Sequence, residues 1–386
     1  MKLAYISDQR YYQGPDGHWY AATACLLDQM EAGLPALKKW IVYGRLNRVV
    51  NTEHLFRMPR CKQEIEYVGP WETKSGPLGQ LLSLPTQIRL LRSVVKEVDV
   101  VWLRLPFVAA ILAWFCCDLK GKLAISQMIG YPHALTFIYG EKWRFFEKLL
   151  NYATRKIVKT VDLAVFVSKA LADDFGRQCK EILIANESSL EEWRICRGEE
   201  RVKRKDILFV GRLSPEKGIK VLLKAYARIA HRYPEIGLRL IGDGPSKAEL
   251  EQLAVQEGIG DRVAFAGYQT WESVLSAMQN GAMMILPSYT EGLGLVLVEA
   301  MSQSIPVIAS KVGGILEIVV HEKNGLLIQP GDVNGLAEAM VRLIEDETLV
   351  RKLTKGGLET ARQNTFEYQT GKILNFINQK IKNGGI

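Results

Sequence analysis

The sequence predicts an α/β protein made of two open parallel sheets, each covered by helices, and three observations carry that prediction. The chain has 386 residues, more than one hydrophobic core usually organises, so two domains of roughly 190 residues with a cleft between them are expected. Apolar runs of strand length alternate with longer amphipathic segments from end to end, the pattern of parallel sheets with helices on both faces. The alternation is interrupted at Glu191 to Lys205, rich in charge and poor in apolar periodicity, which reads as a linker.

Strands are expected at Leu3 to Ser7, Lys39 to Tyr43, Val100 to Arg104, Lys122 to Met128 and Leu163 to Val167, with helices between them. A second series runs through Ile207 to Gly211, Leu238 to Gly242, Val263 to Ala266, Met283 to Pro287, Pro306 to Ala309 and Gly325 to Ile328. Both series suit a doubly wound, Rossmann-like sheet, and no solenoid-length repeat or low-complexity tract competes with that reading. Residues 1–195 are therefore assigned to a first domain, 200–365 to a second, and 366–386 to a helix-like tail.

Hydrophobic residues make up 48% of the chain and charged residues 24%, which supplies two cores and excludes a disordered chain. The formal charge of +8 is concentrated in residues 1–190, which hold 25 Lys and Arg against 18 Asp and Glu, while the remainder holds 25 against 24. A basic half attracts nucleic acid, an anionic membrane surface or a phosphate-bearing substrate, or is simply a soluble surface; no nucleic-acid motif accompanies it. The six cysteines show no C-x-x-C pair and no zinc-ligand spacing, so they read as reduced thiols. The N-terminus enters a strand-like segment without the regions of a signal peptide, which predicts a cytoplasmic protein. The longest apolar run, Leu105 to Cys117, has 13 residues and contains Pro106, too short to span a bilayer. Any contact with the inner face of a membrane would be peripheral, through the basic first domain.

Ligands of open α/β sheets bind beyond the carboxyl ends of the strands, so the strand-to-helix loops carry the chemistry. In Gly211-Arg212-Leu213-Ser214-Pro215-Glu216-Lys217-Gly218, two cations stand beside a helix start. A guanidinium fork, an ammonium and the helix dipole all favour a phosphate there, an exposed cation pair being the plain alternative. Gly242-Asp243-Gly244-Pro245 is a tight turn that lets the backbone approach another group. The richest stretch is Pro287-Ser288-Tyr289-Thr290-Glu291-Gly292-Leu293-Gly294, leading into Leu295, Val296 and Glu299. Gly292 and Gly294 free backbone amides at the positive end of the coming helix, a place for a diphosphate or a developing oxyanion, with Glu291 at its mouth.

Glu291 and Glu299 are eight positions apart, which on one helix is about 12 Å of rise. Retaining glycosidases hold their two carboxyl groups about 5–5.5 Å apart. A dyad acting on one bond is thereby excluded, and contacts to opposite ends of an extended ligand are expected instead.

Gly211-Arg212-Leu213 with Glu216-Lys217-Gly218, Gly242-Asp243-Gly244-Pro245, the Glu291 and Glu299 pair, and Pro306-Val307-Ile308-Ala309-Ser310 leading to Gly313-Gly314 and Glu317 together resemble family 4 of the retaining glycosyltransferases. This is the group of glycogen synthase-like and bacterial glycan transferases, and the resemblance covers residues 206–340. It implies GT-B architecture: two Rossmann-like domains facing a cleft, with the C-terminal helix crossing back to the first. It further implies that Arg212 and Lys217 hold the donor diphosphate, that Glu291 with the amides of Gly292, Leu293 and Gly294 holds the transferred sugar, and that Glu299 holds the ribose. Leu295 and Val296 would reach the phosphates through their amides, and Gly242 would line the donor. Tyr268 falls where the family packs the nucleobase, though a tyrosine there also suits a core.

In the first half, the family's Gly-Gly loop is represented by separated glycines. Gly17 is the positional match for a donor contact because a helix is expected after it. His133 in Gly130-Tyr131-Pro132-His133 stands where the family carries a histidine near the transferred sugar. Ser168 is expected to cap a helix. Lys142-Trp143-Arg144-Phe145-Phe146 with Lys148, Arg155 and Lys156 reads as an amphipathic helix whose basic face is either solvated or attached to a membrane.

The resemblance implies a retaining, metal-independent hexosyltransferase with Glu291, His133, Arg212 and Lys217 at the reacting centre. UDP-glucose is the expected donor by analogy, and a glycan or lipid-linked saccharide in polysaccharide biosynthesis the acceptor. No D-x-D motif is present to chelate a metal against the diphosphate, so neither metal nor cofactor is expected. A UDP-sugar epimerase of the same fold and a non-catalytic nucleotide-sugar-binding subunit are the rival readings.

Overall fold

The computed structural model describes residues 1–21, 38–49, 56–57, 64–70, 77–130, 144–186, 188, 190–196 and 206–382. The chain divides into two compact units, Met1–Ser189 with Gln369–Ile386, and Leu190–Tyr368. The division falls at Ser189 rather than near residue 200, because Leu190 and Ile195 are already buried in the core of the second unit.

In the first unit, β1 (Lys2–Gln13), β2 (Trp19–Ala21), β3 (Lys39–Arg48), β4 (Phe56–Arg57), β5 (Glu64–Val68), β6 (Val100–Leu105), β7 (Leu123–Met128), β8 (Leu163–Phe166) and β9 (Ile182–Ile184) form one sheet. Its parallel path runs β5-β3-β1-β6-β7-β8-β9, with β2 and β4 added antiparallel beside the far end of β1. Successive side chains of a strand point to opposite faces, and β1 obeys this. Ala4 and Ile6 join a core with the helices Pro77–Glu97, Val108–Cys116 and Arg144–Thr160, while Leu3 and Tyr5 join another. That second face is covered by Ile373, Leu374, Phe376 and Ile377 of the helix Phe366–Lys382. Ser168 caps the helix Lys169–Phe175, its Oγ accepting from Leu171 N at 3.4 Å.

The end of β1 departs from expectation. The strand continues to Gln13 and turns back as a hairpin into β2. Gly17 takes the left-handed position of that turn (φ +76°), Gly14 N donates to His18 O at 2.8 Å, and Tyr20 Oη donates to Asp16 at 2.7 Å. A strand, not the expected helix, therefore follows Gly17 directly. Aromatic packing favours it, with Trp19 stacked on Tyr67 at 4.8 Å between ring centroids.

The second unit is a six-stranded sheet of β10 (Asp206–Val210), β11 (Gly237–Ile241), β12 (Val263–Gly267), β13 (Gly281–Leu286), β14 (Val307–Ser310) and β15 (Leu326–Ile328). All pairs are parallel and the order is β12-β11-β10-β13-β14-β15. Chain direction across the sheet reverses between β10 and β13, which makes the loops after these two strands the walls of the ligand crevice. β14 is buried along its whole length, as a strand covered by helices on both faces must be. Among the described residues, no helix is long and apolar enough to cross a membrane.

Candidate active site

The loop after β10 begins with Gly211 and Arg212, passes through the short 3-10 turn Pro215–Lys217, and reaches Gly218 before the helix Ile219–Ala230. Gly218 is left-handed (φ +67°), and a Cβ built on it would stand 2.0 Å from the carbonyl oxygen of Pro287. Only glycine permits the loops after β10 and β13 to touch this closely. Tyr289 N then donates to Glu216 O at 2.8 Å, tying the two backbones together.

The contact brings together side chains that are 74 positions apart in the chain. Lys217 Nζ donates to Glu291 Oε2 at 2.7 Å, and Ser288 Oγ donates to the same oxygen at 3.1 Å. Ser288 is fully buried and the Lys217 and Glu291 side chains are largely so. One carboxylate oxygen of Glu291 is thus held by the protein, leaving Oε1 to meet a ligand. Arg212 is exposed at the same loop. Glu216 has its carboxyl held below the usual range, first by the Ser214 hydroxyl at 2.5 Å and further by backbone amide and by Lys217 and Arg212.

Glu291 and Gly292 are braced from behind. A Cβ on Gly313 would lie 2.2 Å from Glu291 O, and one on Gly314 would lie 1.9 Å from Gly292 O. Gly294 adopts φ +72° as the N-cap of the helix Leu295–Ser302 and brings no capping side chain. The first amides of that helix, Leu295 and Val296 among them, lack intrahelical acceptors and point their positive end at the Glu291 loop. Gly242 has a structural task of its own: its φ is +134° and a Cβ there would stand 2.0 Å from Gly211 O. It supports the Arg212 loop from beneath, together with Leu213 N donating to Asp243 O at 2.9 Å.

Glu291 lies in the loop and Glu299 inside the following helix, so the two carboxylates have different surroundings. Burial pushes the Glu299 carboxyl up to about 7, with the Trp271 indole drawing it back in part. Trp271 Nε1 makes no full hydrogen bond and remains a buried donor, while Arg194 stacks on its ring at 4.2 Å. Tyr268, just after β12, is 83% exposed and so is not a core residue. His133 lies outside the described residues. Sequence reasoning missed Ser288, Trp271 and Arg194; a serine three positions before a motif glutamate was the only local signal among them.

Residues 195–360 match the family described as glycosyl transferases group 1. A glycosyltransferase of Methanocaldococcus jannaschii, MJ1178, is 31% identical over 251 residues, covering 64% of this chain and 67% of that protein. Among solved structures, HepE of Anabaena in complex with UDP-glucose superposes with a TM-score of 0.67 at 20% identity, covering 98% of this chain and 100% of the other. Sucrose-phosphate synthase of Thermosynechococcus elongatus does so with a TM-score of 0.68 at 19% identity, covering 99% and 98%. These two likenesses establish the GT-B fold alone. With the relative's identity, the family match and a braced Lys217–Glu291 pair at the sheet's switch point, the chain belongs to the group 1 glycosyl transferases.

Proposed function

We propose that this glycosyltransferase moves a hexose, glucose in our reading, from a UDP-sugar to a hydroxyl of a glycan or lipid-linked saccharide, with retention of configuration. The observation that carries the proposal is the Lys217–Ser288–Glu291 cluster beside an uncapped helix start. An ammonium has three N–H donors, so Lys217 can keep Glu291 in place and still offer protons to a phosphate oxygen. Arg212 and the amides of Leu295 and Val296 add positive charge for the departing diphosphate. The fold likeness to HepE, which binds UDP-glucose, supports the choice of base and sugar.

In the proposed step the acceptor oxygen bonds to the anomeric carbon from the side on which the carbon–phosphate oxygen bond breaks. The acceptor proton passes to the leaving phosphate oxygen, and the nucleoside diphosphate leaves with its charge countered by Arg212 and Lys217. Glu291 positions the sugar through Oε1 and forms no adduct. Glu299 takes the ribose hydroxyls, Tyr268 the base, and His133 a place near the transferred sugar. Gly17 and Gly242 complete the proposed donor contacts, Gly242 through the loop it supports. Neither metal nor cofactor takes part. We place the reaction in the cytoplasm, a reading supported by the free Cys116, Cys117, Cys179 and Cys196.

Thermal stabilisation across a panel of UDP- and GDP-sugars, followed by NMR of the product anomer, tests this directly. UDP-glucose should give the largest shift and the product should keep the donor's anomeric configuration in the presence of EDTA. An inverted anomer would sink the mechanism, a larger shift with a GDP-sugar the base assignment, and loss of activity in EDTA the metal independence.

A further inference from the structure

The helix Arg144–Thr160 of the first unit buries one face and leaves another without cover. Leu150, Ala153, Thr154, Ile157 and Val158 are buried against the sheet. On the opposite side Phe145 is 80% exposed, Leu149 51% and Tyr152 58%. At 3.6 residues per turn these three share one stripe with Lys156. Lys148 and Lys159 flank them, both exposed, and Lys156 Nζ lies 5.5 Å from the Tyr152 ring. The helix has a single acidic residue, Glu147, and by the same geometry it points away from the stripe.

Three large apolar side chains held in water on one stripe are unfavourable for an isolated protein, because each fully buried one gains about 1.5–3 kcal/mol. Lysines beside them, with no acid on the same face, favour an anionic surface. An apolar stripe bordered by lysines is complementary to the acyl and headgroup zones of a bilayer, with the lysine stems reaching outward. Val255 offers the contrast within the same chain. It is 71% exposed on the helix Lys247–Gln256, but alone, on a helix that carries Glu249 and Glu251.

We infer that the exposed face of Arg144–Thr160 docks this enzyme on an anionic lipid bilayer, with Phe145, Leu149 and Tyr152 entering the interface and Lys148, Lys156 and Lys159 meeting the headgroups. The surface belongs to the first unit, shares no residue with the donor contacts proposed above, and does not depend on which sugar is transferred.

Cosedimentation of the full chain with phosphatidylcholine vesicles, with and without phosphatidylglycerol, tests it. Wild type should bind the anionic vesicles, and the triple variant Phe145→Ser/Leu149→Ser/Tyr152→Ser should bind them at least about tenfold more weakly. Lys148→Glu/Lys156→Glu should lose the preference for anionic lipid, while Val255→Ser should bind like wild type. All variants carry exposed-surface changes, and thermal melting should remain that of the parent; a variant that melts early is replaced by its single Phe145→Ser form. Absence of wild-type binding, equal binding to neutral vesicles, or undiminished binding of the triple variant overturns the inference. So does binding to polyglutamate without binding to anionic vesicles, which would make the face a site for an acidic protein.

Discussion

The two units place a helix at the same point of the sheet and treat its positive end in opposite ways. In the first unit the helix Val108–Cys116 follows β6, the neighbour of the central strand β1. In the second, Leu295–Ser302 follows β13, the neighbour of β10. In the first, a carboxylate from the chain itself occupies the helix start: Asp8 Oδ2 accepts from Ala109 N at 3.2 Å, with Arg45 Nε 3.9 Å from the other oxygen. In the second, the N-cap residue is Gly294, which has no side chain to cap the helix, and Lys217 and Arg212 stand on the adjoining loop. An anion site already filled by the protein stabilises; the same site left open, with cations beside it, binds. Equal strand order therefore does not give equal chemistry.

The most damaging test of this contrast is Lys217→Ala, which removes the cation from the open site. It should lower kcat/KM by about 10²–10³-fold, the range for removing one preorganised donor to developing charge. Steady-state kinetics with saturating acceptor would read it, and an unchanged kcat/KM would break the comparison.

The two buried acids allow a second test, in stability. Burial raises Glu299 from 4.5 to about 7, so the folded chain binds this proton more tightly than the unfolded one. The parent keeps that contribution at low pH and loses it as pH climbs through about 7. Glu299→Gln, which has no charge to bury, should be more stable than the parent by on the order of 3 kcal/mol at pH 8. At pH 4 the two should melt alike. Under the proposed ribose contact, the ionised acid is the better acceptor for the diol's hydroxyls, so donor affinity of the parent should also rise through the same pH window.

Asp8 is raised in the same direction, by burial, against Arg45 and the Ala109 and Val108 amides that lower it. At pH 4, where its charge matters least, Asp8→Ala should still cost about 1–3 kcal/mol, because a buried amide loses its acceptor. Chemical denaturation that shows no loss would mean that the first unit's helix start is not closed by this residue. The smallest effect is expected for Ser288→Ala, which frees one side of Glu291 Oε2. A fall of about fivefold in kcat with little change in donor KM is expected from one hydrogen bond worth about 1 kcal/mol; a change in KM alone would make Ser288 a binding rather than a positioning residue.

Much of the candidate donor site is legible along the chain because its parts are local. Gly292 and Gly294 beside Glu291 announce a loop with free amides, and the eight-position interval to Glu299, about 12 Å of rise if taken along one helix, argues for two separate contacts. The strands of both cores are also legible, since Leu3, Ala4, Tyr5 and Ile6 are apolar in succession and only a strand covered on both faces buries them all. Shorter edge strands are not. β5, with its Glu-Ile-Glu-Tyr-Val pattern, is half exposed, and β2 spans only three residues.

What the sequence by itself determined is the order of the motifs, read directly, and the alternation of elements and two-sheet class, which follow from apolar runs of strand length between segments with the helical period of 3.6 residues. Tertiary structure alone decided which loops meet. Strand order sets β10 beside β13, Gly218 lets the backbones close to contact, and only then do Lys217 and Ser288 converge on one oxygen of Glu291. The same holds for Gly17, whose left-handed turn is shared by a loop into a helix and by a hairpin. The choice lay with Tyr67, a partner for Trp19 that is remote in the chain, and no local pattern reports a partner that arrives from elsewhere.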